Sequence, residues 1–233
     1  MIEIIPAVIP KTREDVEQIV SRYIDSSVKT IQIDLVDGEY APPKTWPYNS
    51  TSQYQEYQLL KKEGFPGWQD IDIELDLMVA NPLQDMTHFI DWGPARIILH
   101  ADTILVDEYT IFLQEHISTR SFIDFGIAFS VQDKIEDYQA IFEHIDFVQC
   151  MGIDNIGYQG QVFDERVFTQ IEKVKQFAPS LPISVDGGVN TQTALRLLEV
   201  GVTRLVSGSF LADSPTVEEG LKELVGDSFT SEM

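Results

Sequence analysis

Apolar runs of strand length alternate with longer amphipathic stretches along the whole chain. The pattern predicts strands near Glu3–Val8, Thr30–Leu35, Asp72–Met78, Arg96–His100, Phe122–Ala128, Phe147–Met151, Ile183–Val185 and Arg204–Ser207, with helices between them. Thr12 followed by Arg13-Glu14-Asp15 reads as a helix start with acids in the first turn, and Asn81-Pro82 and Ser130 before Val131 read as two more. Gly201 closes a helix predicted over Thr191–Val200. Repeated strand-then-helix order implies a parallel sheet. Eight such units in 233 residues favour closure into a single (β/α)8 TIM barrel over an open doubly wound sheet. No composition break divides residues 1–233, so one domain is expected. The longest non-periodic piece, Asp37–Thr51, carries Pro42, Pro43 and Pro47 and suits either a lid or a stiff loop.

Side chains alternate along a strand, so Gln32 and Asp34 share one face while Ile31, Ile33 and Leu35 share the other. Glu74 and Asp76 are set against Ile73, Leu75 and Leu77 in the same way, and Ser184 and Asp186 against Ile183 and Val185. The apolar sets should pack on helices and the polar sets should line the barrel interior. Converging polar groups are costly unless paired, hydrated or bound to a ligand. Gln32 and Glu74, deeper in their strands, suit a structural network as well as a site. Asp34, Asp76 and Asp186 fall at C-terminal strand ends, where barrels of this type place their active sites. Asp34 and Asp186, from separated strands, are placed to approach a ligand from opposite faces, as a two-base proton transfer requires.

Glycine clusters form a second constellation: Gly157-Tyr158-Gln159-Gly160, Asp186-Gly187-Gly188 and Ser207-Gly208-Ser209 follow three consecutive strands. Glycine lets backbone N–H groups approach phosphate oxygens closely, and loops after the last two strands are the usual phosphate site in such barrels. Ordinary turn chemistry is the competing reading. The formal charge of −22 argues against nucleic acid and against steering of an anion from bulk, so a phosphate would have to be held by local amides. No apolar run is long enough for a membrane helix, and no basic segment precedes the first apolar stretch. The single cysteine, Cys150, excludes an internal disulfide, fits a reducing, cytoplasmic setting, and reads as a small buried residue. His100 ends a strand and reaches either the mouth or a structural partner; His88, His116 and His144 fall on predicted helices.

These residues resemble the ribulose-phosphate 3-epimerase family over nearly the whole length. The likeness runs through Ile5-Pro6-Ala7-Val8-Ile9, Ile33-Asp34-Leu35-Val36-Asp37-Gly38 and Asp76-Leu77-Met78-Val79-Ala80-Asn81-Pro82. It continues through His100-Ala101, Gly157-Tyr158-Gln159-Gly160-Gln161, Val185-Asp186-Gly187-Gly188 and Ser207-Gly208-Ser209. The resemblance implies a barrel that binds a pentulose 5-phosphate and inverts its third carbon through an enediolate. It implies Asp34 and Asp186 as the acid/base pair, and Gly157, Gly160, Gly187, Gly188, Gly208 and Ser209 as the phosphate grip. A homo-oligomer is also expected on this ground.

Where the family's metal site has two histidines beside those aspartates, this chain has Gln32 and Asp76. Ala7 stands in place of a serine, and the loop Glu39-Tyr40-Ala41-Pro42-Pro43 is changed. The set Gln32, Asp34, Asp76 and Asp186 offers only oxygen, which suits Mg2+ or Mn2+ better than Zn2+ or Fe2+. Loss of the metal altogether is the alternative, and would leave a sugar-phosphate binder without turnover. Decarboxylation or aldol cleavage on the same fold is a third reading; no inward lysine at these strand ends supports it.

Overall fold

In the computed structural model, which describes residues 2–158 and 160–226, the chain forms a closed barrel of eight parallel strands paired in sequence order. The strands are β1 (Glu3–Val8), β2 (Thr30–Val36), β3 (Asp72–Met78), β4 (Arg96–His100), β5 (Asp124–Phe129), β6 (Phe147–Met151), β7 (Ile183–Asp186) and β8 (Arg204–Ser207). Helices α1 (Arg13–Tyr23), α2 (Gln53–Glu63), α3 (Pro82–Asp91), α4 (Val106–Glu115), α5 (Arg166–Phe177), α6 (Thr191–Glu199), α7 (Ser209–Asp213) and α8 (Val217–Val225) surround it. Gln159, from the first glycine cluster, lies outside the described residues.

The helix starts follow local chemistry. Thr12 caps α1 in a capping box with Asp15, and Pro82 opens α3, where its missing N–H costs nothing. Gly201, at φ 82°, follows the end of α6. Two expectations are corrected. Ser130 does not open an α-helix: the β5–β6 connection is a 3-10 helix over Ile135–Ile141, so His144 lies on a turn. Strand β5 begins at Asp124, and Phe122 is 84% exposed outside it.

Strand alternation sorts side chains as expected. Ile31, Ile33, Leu35, Ile73, Leu75, Leu77 and Val185 are buried in the main core between barrel and helices. Each such side chain contributes about 1.5–3 kcal/mol on burial. The opposite faces of β2, β3 and β7 carry Gln32, Asp34, Glu74, Asp76, Ser184 and Asp186. In the β2–β3 register Gln32 is level with Glu74 and Asp34 with Asp76, which sets the two aspartates side by side.

Ion pairs fill the N-terminal floor of the barrel. Arg96 donates to both Glu3 carboxylate oxygens at 3.0 Å and approaches Glu74 at 3.4 Å, while Arg204 reaches Glu3 at 3.2 Å. Burial pushes Glu74 up to about 7, although Arg96 and Arg204 oppose it. This deep acid belongs to the structural floor, away from the C-terminal mouth. Cys150 is buried and packs with the core, and burial pushes its thiol up to about 12, as suits an inert residue. Among the described residues no helix is long and apolar enough to cross a membrane.

Candidate active site

The C-terminal ends of β2, β3 and β7 bring Asp34, Asp76 and Asp186 together, with one carboxylate oxygen of each lying within 4.8 Å of the others. Asp34 and Asp186 are closer than their separated strands suggest, and they share one amide. Gln32 Nε2 donates to Asp34 Oδ1 at 2.9 Å and to Asp186 Oδ2 at 3.0 Å. Gln32 Oε1 is buried and has no hydrogen-bond partner. Asp76 is fully buried and held from two sides: His100 Nε2 lies 2.9 Å from Oδ1, and Gln149 Nε2 donates to Oδ2 at 3.0 Å.

Crowding shapes the electrostatics. Burial, then the neighbouring Asp186 and Asp76, hold the Asp34 carboxyl well above the usual range. Burial, then Asp76, pushes Asp186 up to about 7. Burial works against a charge on His100, yet the attraction and hydrogen bond of Asp76 together lift it above the ordinary imidazole value. Two nearby acids with raised values are what proton transfer near neutral pH requires.

Above the acids lies a cavity of about 270 Å3. Asp34 and Asp186 line it, as do Met78 and Met151. Gly157, Gly160, Gly187, Gly188, Gly208 and Ser209 all line it. Gln32 and Asp76 do not line it. Among the described residues the lining holds no Lys or Arg, so an anion there would depend on backbone N–H groups. Gly187 and Gly188 take φ values of 98° and 68°, which favour glycine, and a Cβ on Gly188 would lie 2.8 Å from the Phe163 Cα. Asn190 Nδ2 and Thr193 Oγ1 both donate to the Gly188 carbonyl, tying this loop to the start of α6.

The loop after β2 is fastened rather than loose. Thr45 Oγ1 accepts from Val36 N and donates to Asp34 O, and Asp37 accepts from the backbone of Glu39, Tyr40 and Ala80. Tyr40 packs on His100, with ring centroids 5.3 Å apart, and its hydroxyl donates to Asp102 at 2.8 Å. This packs the loop against the histidine that holds Asp76.

Gln149 was missed by sequence reasoning, although alternation in β6 places it inward with Phe147 and Met151. His100 stood between a site and a structural role, and its bond to Asp76 puts it against the acidic cluster. His88 lies on α3, and His116 caps the end of α4.

A closed parallel barrel with acids gathered at its C-terminal mouth and three glycine loops around the cavity above them defines the class. The sequence profile of the ribulose-phosphate 3 epimerase family matches residues 3–212, and the chain belongs to that family. It is 26% identical over 201 residues to the ribulose-phosphate 3-epimerase of Bacillus subtilis (strain 168), covering 84% of this chain and 85% of that one. It is 27% identical over 207 residues to that of Chlamydia pneumoniae, covering 85% and 83%. Among solved structures, the tryptophan synthase complex from Pyrococcus furiosus superposes with a TM-score of 0.65 at 13% identity, over 96% of this chain and 98% of that one, a likeness of fold alone.

Proposed function

We propose that this chain epimerises a ketose phosphate, D-ribulose 5-phosphate/D-xylulose 5-phosphate or a related sugar, by two-base proton transfer through an enediolate. The observation that carries this is the pair Asp34 and Asp186, both facing one cavity with raised carboxyl values and one shared amide. Gln32 holds Asp34 Oδ1 and Asp186 Oδ2, and both acids line the cavity in which substrate would sit. One acid takes the proton from the carbon beside the carbonyl, and the C–H electrons pass into the enediolate. The other acid returns a proton to the opposite face. The glycine loops at Gly157, Gly160, Gly187, Gly188 and Gly208, with Ser209, hold the phosphate through backbone amides.

The donor set fits a divalent cation. Three carboxylates converge, and their repulsion favours a positive charge among them. Turning the Gln32 amide would bring its unpartnered oxygen toward the same point. Asp34, Asp76, Asp186 and Gln32 would hold the ion, and an all-oxygen set selects Mg2+ or Mn2+ over Zn2+ or Fe2+. Such an ion supplies Lewis-acid stabilisation of negative charge on a substrate oxygen.

A second reading, a sugar-phosphate binder without turnover, is favoured by the Gln32 amide, which presents nitrogen rather than oxygen to the acids. The experiment that separates them follows the substrate C–H signal of ribulose 5-phosphate by NMR in deuterated buffer with Mg2+ or Mn2+. Exchange lost in Asp34→Asn supports the epimerase. Saturable binding without exchange in the unaltered protein supports the binder.

A further inference from the structure

We infer that Gln149 is a positioning residue, setting the Asp76 carboxylate within the acidic triangle so that the triangle can hold a cation; this rests on the cation reading above. Asp76 replaces an imidazole with a carboxylate, which can rotate and which carries two competing oxygens. Each of those oxygens has one fixed partner, His100 on Oδ1 and Gln149 on Oδ2. A carboxylate bonded once at each oxygen keeps a lone pair on each while losing its rotation.

The Gln149 bond has an unusual course. Strands β3 and β6 are not neighbours, so the amide crosses the barrel lumen to reach Asp76. The inward side chains around it, Ile98, Ala128, Phe147 and Met151, are apolar. An amide there is costly unless satisfied, and both of its ends are engaged: Ser184 Oγ donates to Oε1 at 3.4 Å. Nε2 faces Asp76 and Oε1 faces Ser184, so the amide's donor end is the one turned to the acid. Gln149 is therefore fixed as a donor and is excluded as a cation ligand. Gln32 differs, since its oxygen is buried without a hydrogen-bond partner. The two glutamines divide the work: Gln32 contacts Asp34 and Asp186 directly, and Gln149 acts through Asp76.

The test measures Mn2+ binding to the full chain by electron paramagnetic resonance of the free ion, without substrate. Gln149→Leu keeps the size of the side chain and suits its apolar neighbours; Gln149→Met serves if leucine does not pack. A folded variant is expected to bind Mn2+ about 10- to 100-fold more weakly than the unaltered protein, as for other residues that orient a metal ligand. With ribulose 5-phosphate, kcat should fall while KM stays within about twofold, because neither Gln149 nor Asp76 lines the cavity. Unchanged Mn2+ affinity in a folded variant overturns the inference alone. An unaltered protein that binds no Mn2+ overturns both the inference and the cation reading.

Discussion

Replacing Asp186 with asparagine should make the protein more stable while removing its activity. Asp186 lies within 4.8 Å of two other carboxylates. Two unit charges at about 5 Å repel by about 3 kcal/mol at an effective dielectric near 20. Burial, then Asp76, lifts its carboxyl from 3.8 to about 7. For an acid raised on folding, stability is whole below the unfolded value near 4 and erodes as pH climbs to the folded value near 7. Two pH units of that interval lie above pH 5, equivalent to about 2.7 kcal/mol. Asp186 is half-buried and open to the cavity, so screening reduces this to about 2 kcal/mol. Asparagine can still accept the Gln32 hydrogen bond, so no buried donor is orphaned. Urea unfolding in EDTA measures the effect. The Asp186→Asn advantage over the unaltered protein should widen by about 2 kcal/mol from pH 5 to pH 8. A variant less stable at pH 8, or a gap independent of pH, would refute the crowding argument.

Two further outcomes follow from the same geometry. Burial alone would raise the Glu3 carboxyl, but Arg96, Thr30 and Arg204 together hold it below 4.5. The stability it adds is present above the unfolded value and is lost as pH falls through the lower folded value. Glu3→Gln should therefore cost about 2 kcal/mol in urea unfolding at pH 7, and the cost should shrink as the pH is lowered into the acid range. Gly188→Ala forces a left-handed φ of 68° on a side chain whose Cβ meets the Phe163 backbone at 2.8 Å. A strain of about 1–2 kcal/mol plus that clash should weaken inorganic phosphate binding at least about tenfold by calorimetry; unchanged affinity would remove the β7 loop from the phosphate grip.

Much of the architecture was legible because its cause is local. Alternation of Gln32 and Asp34 against Ile31, Ile33 and Leu35 follows from strand geometry, whatever lies around the strand. The same holds for the caps at Thr12 and Pro82. Gln149 was equally legible by alternation, but a lone amide in an apolar run gives no sign of its partner. The β5–β6 connection was misread because Ser130 carries a helix-entry signal that the following residues answer with a 3-10 helix.

From the residues alone came the barrel, the inward acids and the glycine-rich strand ends, since each depends on periods of two or on single-residue conformations. Closure of the eight strands decided the rest: that one glutamine bridges Asp34 and Asp186, that Asp76 is buried against His100 and Gln149, and that Glu3 pairs with Arg96 at the other end of the barrel. Those contacts join strands far apart in sequence, and their distances are set by register and barrel curvature, which no local pattern encodes.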